Sequence, residues 1–317
     1  MNTNLSENKN IKKPITETLL WRVLRWVPLL LMMIILLGLL AVYFIGGMPR
    51  IMAWYLFQFI PPIFGFVFLV VVVLYGLIQK KFNPLMIVTM VLSLISLLPI
   101  LLLVIKVPYP SSLEKTFPAA TVRLPADVPL KVIWGGDNIK NNYHVFVPDQ
   151  RWAYDLVVEP YLIGSNELSD YGCYGTPVLS PADGYISSVR ENEPDMTPGV
   201  SSNNTLAPTG NYVSIKMESG TFLVIAHLKP GSILVQEGNT VLEGQQLGEC
   251  GNSGNTSEPH IHIHHQRQDP AKFPVNFAEG LPLYFRDHDG PVMPIGGVKE
   301  EDGKIIVTGD TVMHIGE

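Results

Sequence analysis

Three stretches of this chain show neither polar alternation nor charge. Val27–Met48 is an apolar run of 22 residues, Ile51–Ile78 has only Gln58 as a polar side chain, and Pro84–Ile105 follows. The hydrocarbon core of a bilayer takes roughly 20 helical residues, so residues 27–106 are predicted as three transmembrane helices. Pro61 and Pro62 are expected to kink or divide the second. The first run is too long for a cleaved signal peptide, and no small-residue cleavage site follows it. From Pro108 the pattern changes. Residues 107–127 read as a polar, proline-containing linker. Beyond it come short alternating runs: Leu130–Trp134, Tyr143–Val147, Arg151–Val158, Pro177–Leu179, Gly184–Arg190, Tyr212–Met217, Thr221–His227, Gln246–Glu249 and His260–His264. A period of two punctuated by Gly, Pro, Asn and Asp predicts strands. About ten of them predict an all-β sandwich or partly open barrel over residues 128–317. No amphipathic helix is evident there, and Glu191–Gly210 reads as an exposed loop.

Charge divides the 317 residues at the same place. Residues 1–106 hold nine basic and two acidic side chains, a net +7, and residues 107–317 hold 13 and 26, a net −13. A uniformly soluble enzyme and a basic nucleic-acid binder are both excluded, and the acidic part is not expected to bind anionic lipid or nucleic acid. Basic residues favour the cytoplasmic side. Five precede the first run, Arg50 lies in the first turn and Lys80-Lys81 in the second. Residues 1–26 are therefore expected as a cytoplasmic tail and residues 107–317 outside the cytoplasm. With no ionisable side chain inside a run, the helices read as a multi-pass anchor in the lipid bilayer rather than an ion pathway.

All eight histidines lie beyond residue 143. On a strand, His260, His262 and His264 share a face, and paired imidazoles are common zinc ligands. Alone the pair is a weak signal. Asp155, Gly175–Gly184, His227-Leu228 and Gly251–Ile263 surround it in order. This ordered set, spanning residues 143–266, resembles the LytM/lysostaphin-type zinc endopeptidases, which cleave peptide crosslinks of the cell wall. The resemblance implies their β fold, the duplicated hybrid motif kind, a Zn2+ cofactor and a cell-wall peptide substrate at a bacterial cytoplasmic membrane. It implies Asp155 and His262 as metal ligands, with His227 and His260 as general base and transition-state stabiliser. His264 stands where the family usually has an acid. It, His265, His288 and His314 read as ordinary surface histidines.

One position departs from that pattern. The family's first ligand lies four residues before the aspartate, where this chain has Arg151. A guanidinium has no free lone pair for a metal. A hairpin turning at Asp149-Gln150 would set His144 opposite Asp155, making His144 the candidate third ligand. The alternative is an edge histidine beside an inactive site. Two functional readings follow. One is a membrane-anchored zinc metalloendopeptidase, a hydrolase of peptidoglycan crosslinks. The other is a catalytically inactive domain of the same fold that binds cell wall or regulates another hydrolase. Val178–Gly184 also resembles the glucose-permease-type phosphocarrier domain, which works in the cytoplasm, against the expected topology. Cys173 and Cys250 read as two free, partly buried thiols, although a disulfide is permitted outside the cytoplasm.

Overall fold

The computed structural model describes residues 18–199, 204 and 206–316. They form two compact units, one within residues 1–45 and 52–106 and the other from residues 46–51 and 107–317.

The first unit is helical: α1 (Leu19–Leu24), α2 (Val27–Phe44), α3 (Gly47–Gln79, of which residues 52–79 belong to this unit), α4 (Pro84–Ile95) and α5 (Leu101–Val104). Local chemistry sets the starts. The Thr18 hydroxyl accepts from the Trp21 amide at 3.2 Å, and the Asn83 side chain accepts from Met86 at 2.8 Å, with Pro84 opening α4. Both are N-cap arrangements that satisfy otherwise orphaned amides. Three apolar stretches, Leu19–Phe44, Gly47–Gln79 and Pro84–Val104, are long and apolar enough to cross a membrane. Pro61 and Pro62 lie within α3 and do not divide it. Two of the polar groups turn back onto their own helices: Thr89 Oγ1 donates to the Leu85 carbonyl and Ser96 Oγ to the Ser93 carbonyl. Such bonds satisfy a hydroxyl where water is scarce.

The second unit is mostly β. Its strands are β1 (Ala120–Val122), β2 (Leu130–Trp134), β3 (Tyr154–Val157), β4 (Pro177–Leu179), β5 (Gly184–Arg190), β6 (Asn211–Lys216) and β7 (Phe222–Leu228). Then follow β8 (Thr240–Val241), β9 (Gln246–Glu249), β10 (Ile261–Gln266), β11 (Leu283–Phe285), β12 (Val298–Glu301), β13 (Lys304–Val307) and β14 (Thr311–Val312). Eight form one antiparallel sheet in the order β14-β2-β3-β10-β7-β6-β5-β8, and the pairs β1-β11, β4-β9 and β12-β13 stand as small sheets. The sheets do not close into a barrel. One face of the large sheet carries Leu130, Val132, Leu156, Ile215, Leu223, Ile225, Ile261 and Ile263 into the main core. Alternation sends Asp155, His262 and His264 to the opposite face.

Several expectations change. Residues 107–127 are built into this unit: Tyr109 is buried, its amide donates to the Val145 carbonyl at 2.7 Å, and β1 pairs in parallel with β11. Tyr143–Val147 is not a strand. Asn142 caps a 3-10 turn over Tyr143–Phe146, and amides of Val147, Gln150 and Ala153 each bond three residues back. The expected hairpin is therefore absent, and β3 pairs with β2 and β10 instead. His264 and His265 are buried, not on the surface. Cys173 and Cys250 are not free thiols. They form a disulfide across a Cα separation of 5.7 Å, brought together where the Cys250 carbonyl accepts from Gly175 and its amide donates to Thr176. After the last alternating run, β14 completes the sheet edge against β2, and the β12-β13 hairpin contributes Val298 and Ile305 to a cavity wall.

Candidate metal centre

The site begins with sheet register. Pairing of β3 with β10 sets Asp155 opposite His262, and pairing of β10 with β7 sets Ala226 on the other side of His262. His262 Nδ1 lies 2.8 Å from Asp155 Oδ1. His144 arrives from outside the sheet. Asn142 Oδ1 accepts from the His144 amide at 3.0 Å and from its ring Nδ1 at 2.9 Å. Asn142 is itself held by donating to the Gly136 and Ala153 carbonyls. With its proton on Nδ1, His144 turns Nε2 toward Asp155 Oδ2, at 3.5 Å. The ligand atoms of His144, Asp155 and His262 lie within 4.8 Å of one another.

His227 sits at a β-bulge, where β7 has one more residue than β6 between paired positions. Its φ of 62° is unusual for a side chain of this size. Nδ1 donates to the Ser253 carbonyl at 2.7 Å, which leaves Nε2 with a lone pair. His260 repeats this device through the Glu258 carbonyl, at 2.8 Å, and its Nε2 lies 3.5 Å from Asp155 Oδ1. The ring centroids of His227 and His260 are 4.7 Å apart. His227, His260 and His262 make a second close group of possible ligand atoms, sharing His262 with the first.

Electrostatics follow from burying these groups together. Burial opposes ionisation of Asp155, but the neighbouring imidazoles, His144 and His260 foremost, outweigh it and hold the carboxyl well below its usual range. Burial lowers His144 to about 3, so the ring is neutral at pH 7. Burial, with His260 and His262 nearby, also pushes His227 down. Burial acts against the charge on His260 as well, yet Asp155 and Glu258 raise it.

All five residues expected at the site are thus brought together. Arg151 is not among them. Its guanidinium donates to the Tyr109 and Asp137 carbonyls and pairs with the Asp137 carboxylate at 3.0 Å. Two further residues escaped the sequence reading. Tyr143 lies against the His144 ring, with centroids 4.1 Å apart, and its hydroxyl is 3.5 Å from Asp155 Oδ2. Burial and the Asp155 charge raise that hydroxyl. Its place beside a ligand candidate was the available signal. His264 contacts His262 Nε2 at 3.0 Å through Nδ1. The shared face of alternate β10 residues was the signal there. Cavities open beside the cluster. One of about 380 Å³ is lined by Trp134, Tyr143, Asp155, His260 and the β12-β13 hairpin. Another of about 290 Å³ is lined by His144, His227 and His262.

The donor set fits a divalent transition metal. It offers a carboxylate and neutral imidazoles, the ligands zinc takes at about 2.0–2.2 Å. Donors around a tetrahedral ion at that range stand about 3.4 Å apart, near the 3.5 Å between His144 and Asp155.

Comparison with known proteins follows from the same part of the chain. Residues 168–274 match the model of Peptidase family M23. The match includes His227, His260 and His262 and begins after Asp155. Peptidoglycan DD-endopeptidase ShyA of Vibrio cholerae is 27% identical over 135 residues, covering 40% of this chain and 28% of that protein. Cell division protein DipM of Caulobacter vibrioides is 33% identical over 112 residues, covering 34% and 16%. The aligned parts amount to less than a third of either relative. Among solved structures, a zinc containing peptidase from Vibrio cholerae is 22% identical with a TM-score of 0.31, covering 46% of this chain and 37% of that one. Residues 168–274, with these relatives, identify in this chain a peptidase family M23 domain of the LytM/lysostaphin type.

Proposed function

We propose that the β unit is a zinc-dependent endopeptidase that hydrolyses peptide bonds in peptidoglycan crosslinks. The observation that carries this reading is His144 Nε2 beside Asp155, which supplies the imidazole that Arg151 does not. The apolar helices would hold the unit in a bacterial cytoplasmic membrane. The distribution of basic residues supports a cytoplasmic tail (residues 1–26), a membrane part (27–106) and an extracytoplasmic remainder. A cell-wall substrate lies on that side.

His144, Asp155 and His262 would hold the ion. When bound, zinc supplies a Lewis acid and lowers the pKa of a coordinated water toward about 7. The protein's own groups do the rest. His227 and His260 both fix their Nδ1 protons on backbone carbonyls. One free Nε2 can therefore take a proton from water and return it to the leaving amine. The other, when protonated, can donate to the developing oxyanion. Asp155, ionised by its surroundings, offsets the positive charge of ion and imidazoles. The cavity beside Trp134 and Tyr143 offers room for a peptide chain.

The test is metal content and hydrolysis of purified peptidoglycan by the full chain in detergent. About one zinc per chain is expected. His262→Ala removes both zinc and activity. His227→Ala keeps the zinc and lowers kcat by about 10²–10⁴-fold. Absence of zinc from the unaltered chain overturns the reading. A second reading, an inactive domain that binds cell wall or regulates another hydrolase, is favoured by Arg151 alone. It predicts binding to peptidoglycan without hydrolysis.

A further inference from the structure

A chain of hydrogen bonds runs along the polar face of β10 between two groups that only accept, the Gln268 carbonyl and the ionised Asp155 carboxylate. Gln266 Nε2 lies 2.6 Å from the Gln268 carbonyl, which can only accept. The Gln266 amide is therefore oriented, with Oε1 turned to His264 Nε2 at 2.9 Å. An amide oxygen accepts, so His264 carries a proton on Nε2. His264 is buried, and no carboxylate bonds it among the described residues. An unpaired buried charge is too costly to keep, so the ring is neutral and its Nδ1 has a lone pair. That lone pair faces His262 Nε2 at 3.0 Å, so His262 donates from Nε2, and in the neutral form that metal ligation requires its Nδ1 is bare. Bare Nδ1 then faces Asp155 Oδ1 at 2.8 Å. Two acceptors at that distance repel each other unless a cation lies between or beside them.

We propose that His264 and Gln266 are positioning residues that transmit the polarity of one backbone carbonyl to His262, presenting its Nδ1 lone pair to the metal. The inference rests on the metal reading above. It assigns a role to a histidine at a position where the resemblance leads one to expect an acid. An acid would hold the ligand's proton with a negative charge. This chain holds it with neutral groups, leaving Asp155 as the anion of the cluster. Partners that orient a metal-bound imidazole in this way typically change metal affinity by about 10–100-fold when removed.

The experiment measures zinc affinity of the full chain in detergent by competition with a chromogenic chelator. His264→Leu removes the acceptor and is expected to weaken zinc binding by about 10–100-fold. His264→Asn returns a neutral oxygen acceptor near the position of Nδ1 and is expected to regain most of that loss. Gln266→Leu, which touches none of the three ligand candidates, weakens binding several-fold. Wild-type affinity in His264→Leu overturns the relay and leaves the metal reading standing. Equal loss in His264→Leu and His264→Asn also overturns it, because His264 then only fills space. If the unaltered chain binds no zinc, the metal reading fails and the relay falls with it.

Discussion

The two units reverse the relation between polarity and burial. The helical unit turns large apolar side chains outward: Leu36 is 57% exposed, Phe64 56% and Leu74 53%. The β unit turns ionisable ones inward: His144 is 1% exposed, His264 3%, His262 4% and Asp155 5%. The first arrangement is stable only where the surroundings are apolar. The second is stable only where such buried polar groups find partners, as these four do. One unit is therefore specified by its solvent and the other by its contacts. Changes in the two should fail in different ways.

The largest expected effect on stability concerns a contact within the β unit. Cys173 and Cys250 are 77 residues apart in sequence. Closing a loop of that length removes part of the unfolded chain's entropy, about 4.5 kcal/mol in the chain-entropy model. The double substitution Cys173→Ser, Cys250→Ser should lower protection of β7 and β10 amides from hydrogen exchange by that amount, with the helices unaffected. Unchanged protection would mean that the core alone fixes the unit.

Next is a paired substitution that sets one unit against the other. Arginine at the centre of a membrane helix costs about 3 kcal/mol of insertion. Leu36→Arg should therefore reduce membrane integration, read as the fraction of chain resistant to alkaline extraction. Leu242, equally apolar and 65% exposed in the β unit, should accept arginine within about 0.5 kcal/mol. Equal tolerance at both positions would remove the distinction between the units.

This difference also explains what could be read from sequence. The helices are local facts, since residues such as Leu36 and Val72 carry their own preference for an apolar solvent. Strands β2, β4, β5 and β9 were legible with their bounds, because alternation and turn residues are local too. The joint placement of Asp155 and His262 needed only the period of two and the ordered motifs. His144 lies near Asp155 by a route other than the predicted hairpin: Asn142 captures the chain in a 3-10 turn and aims the ring. Neither the burial of His264 and His265 nor the Cys173–Cys250 bond is written in neighbouring residues. Each depends on elements that meet only after folding. Strands β1, β8 and β11 to β14 are not legible in the sequence for the same reason, being short and dependent on partners far along the chain.

The smallest effect tests whether inward polarity carries a cost in acid. His265 lies on β10 outside the ligand set, with Nδ1 against the Pro282 carbonyl at 3.1 Å and Nε2 against Thr221 Oγ1 at 2.7 Å. Burial lowers its pKa from 6.5 to about 4. The sign follows from proton counting. Between those values the unfolded chain binds a proton that the folded chain does not, so stability falls as pH falls. The loss from this residue is about 2 kcal/mol between pH 7 and pH 5. His144 and His227, also held neutral by burial, push in the same direction. The informative quantity is thus the difference between the unaltered chain and His265→Gln, both free of metal. The variant should start less stable at pH 7 and lose about 2 kcal/mol less on acidification, read from exchange of β10 amides. Parallel pH profiles would mean that His265 takes up its proton without cost, and that burial in this sheet is not the source of its neutrality.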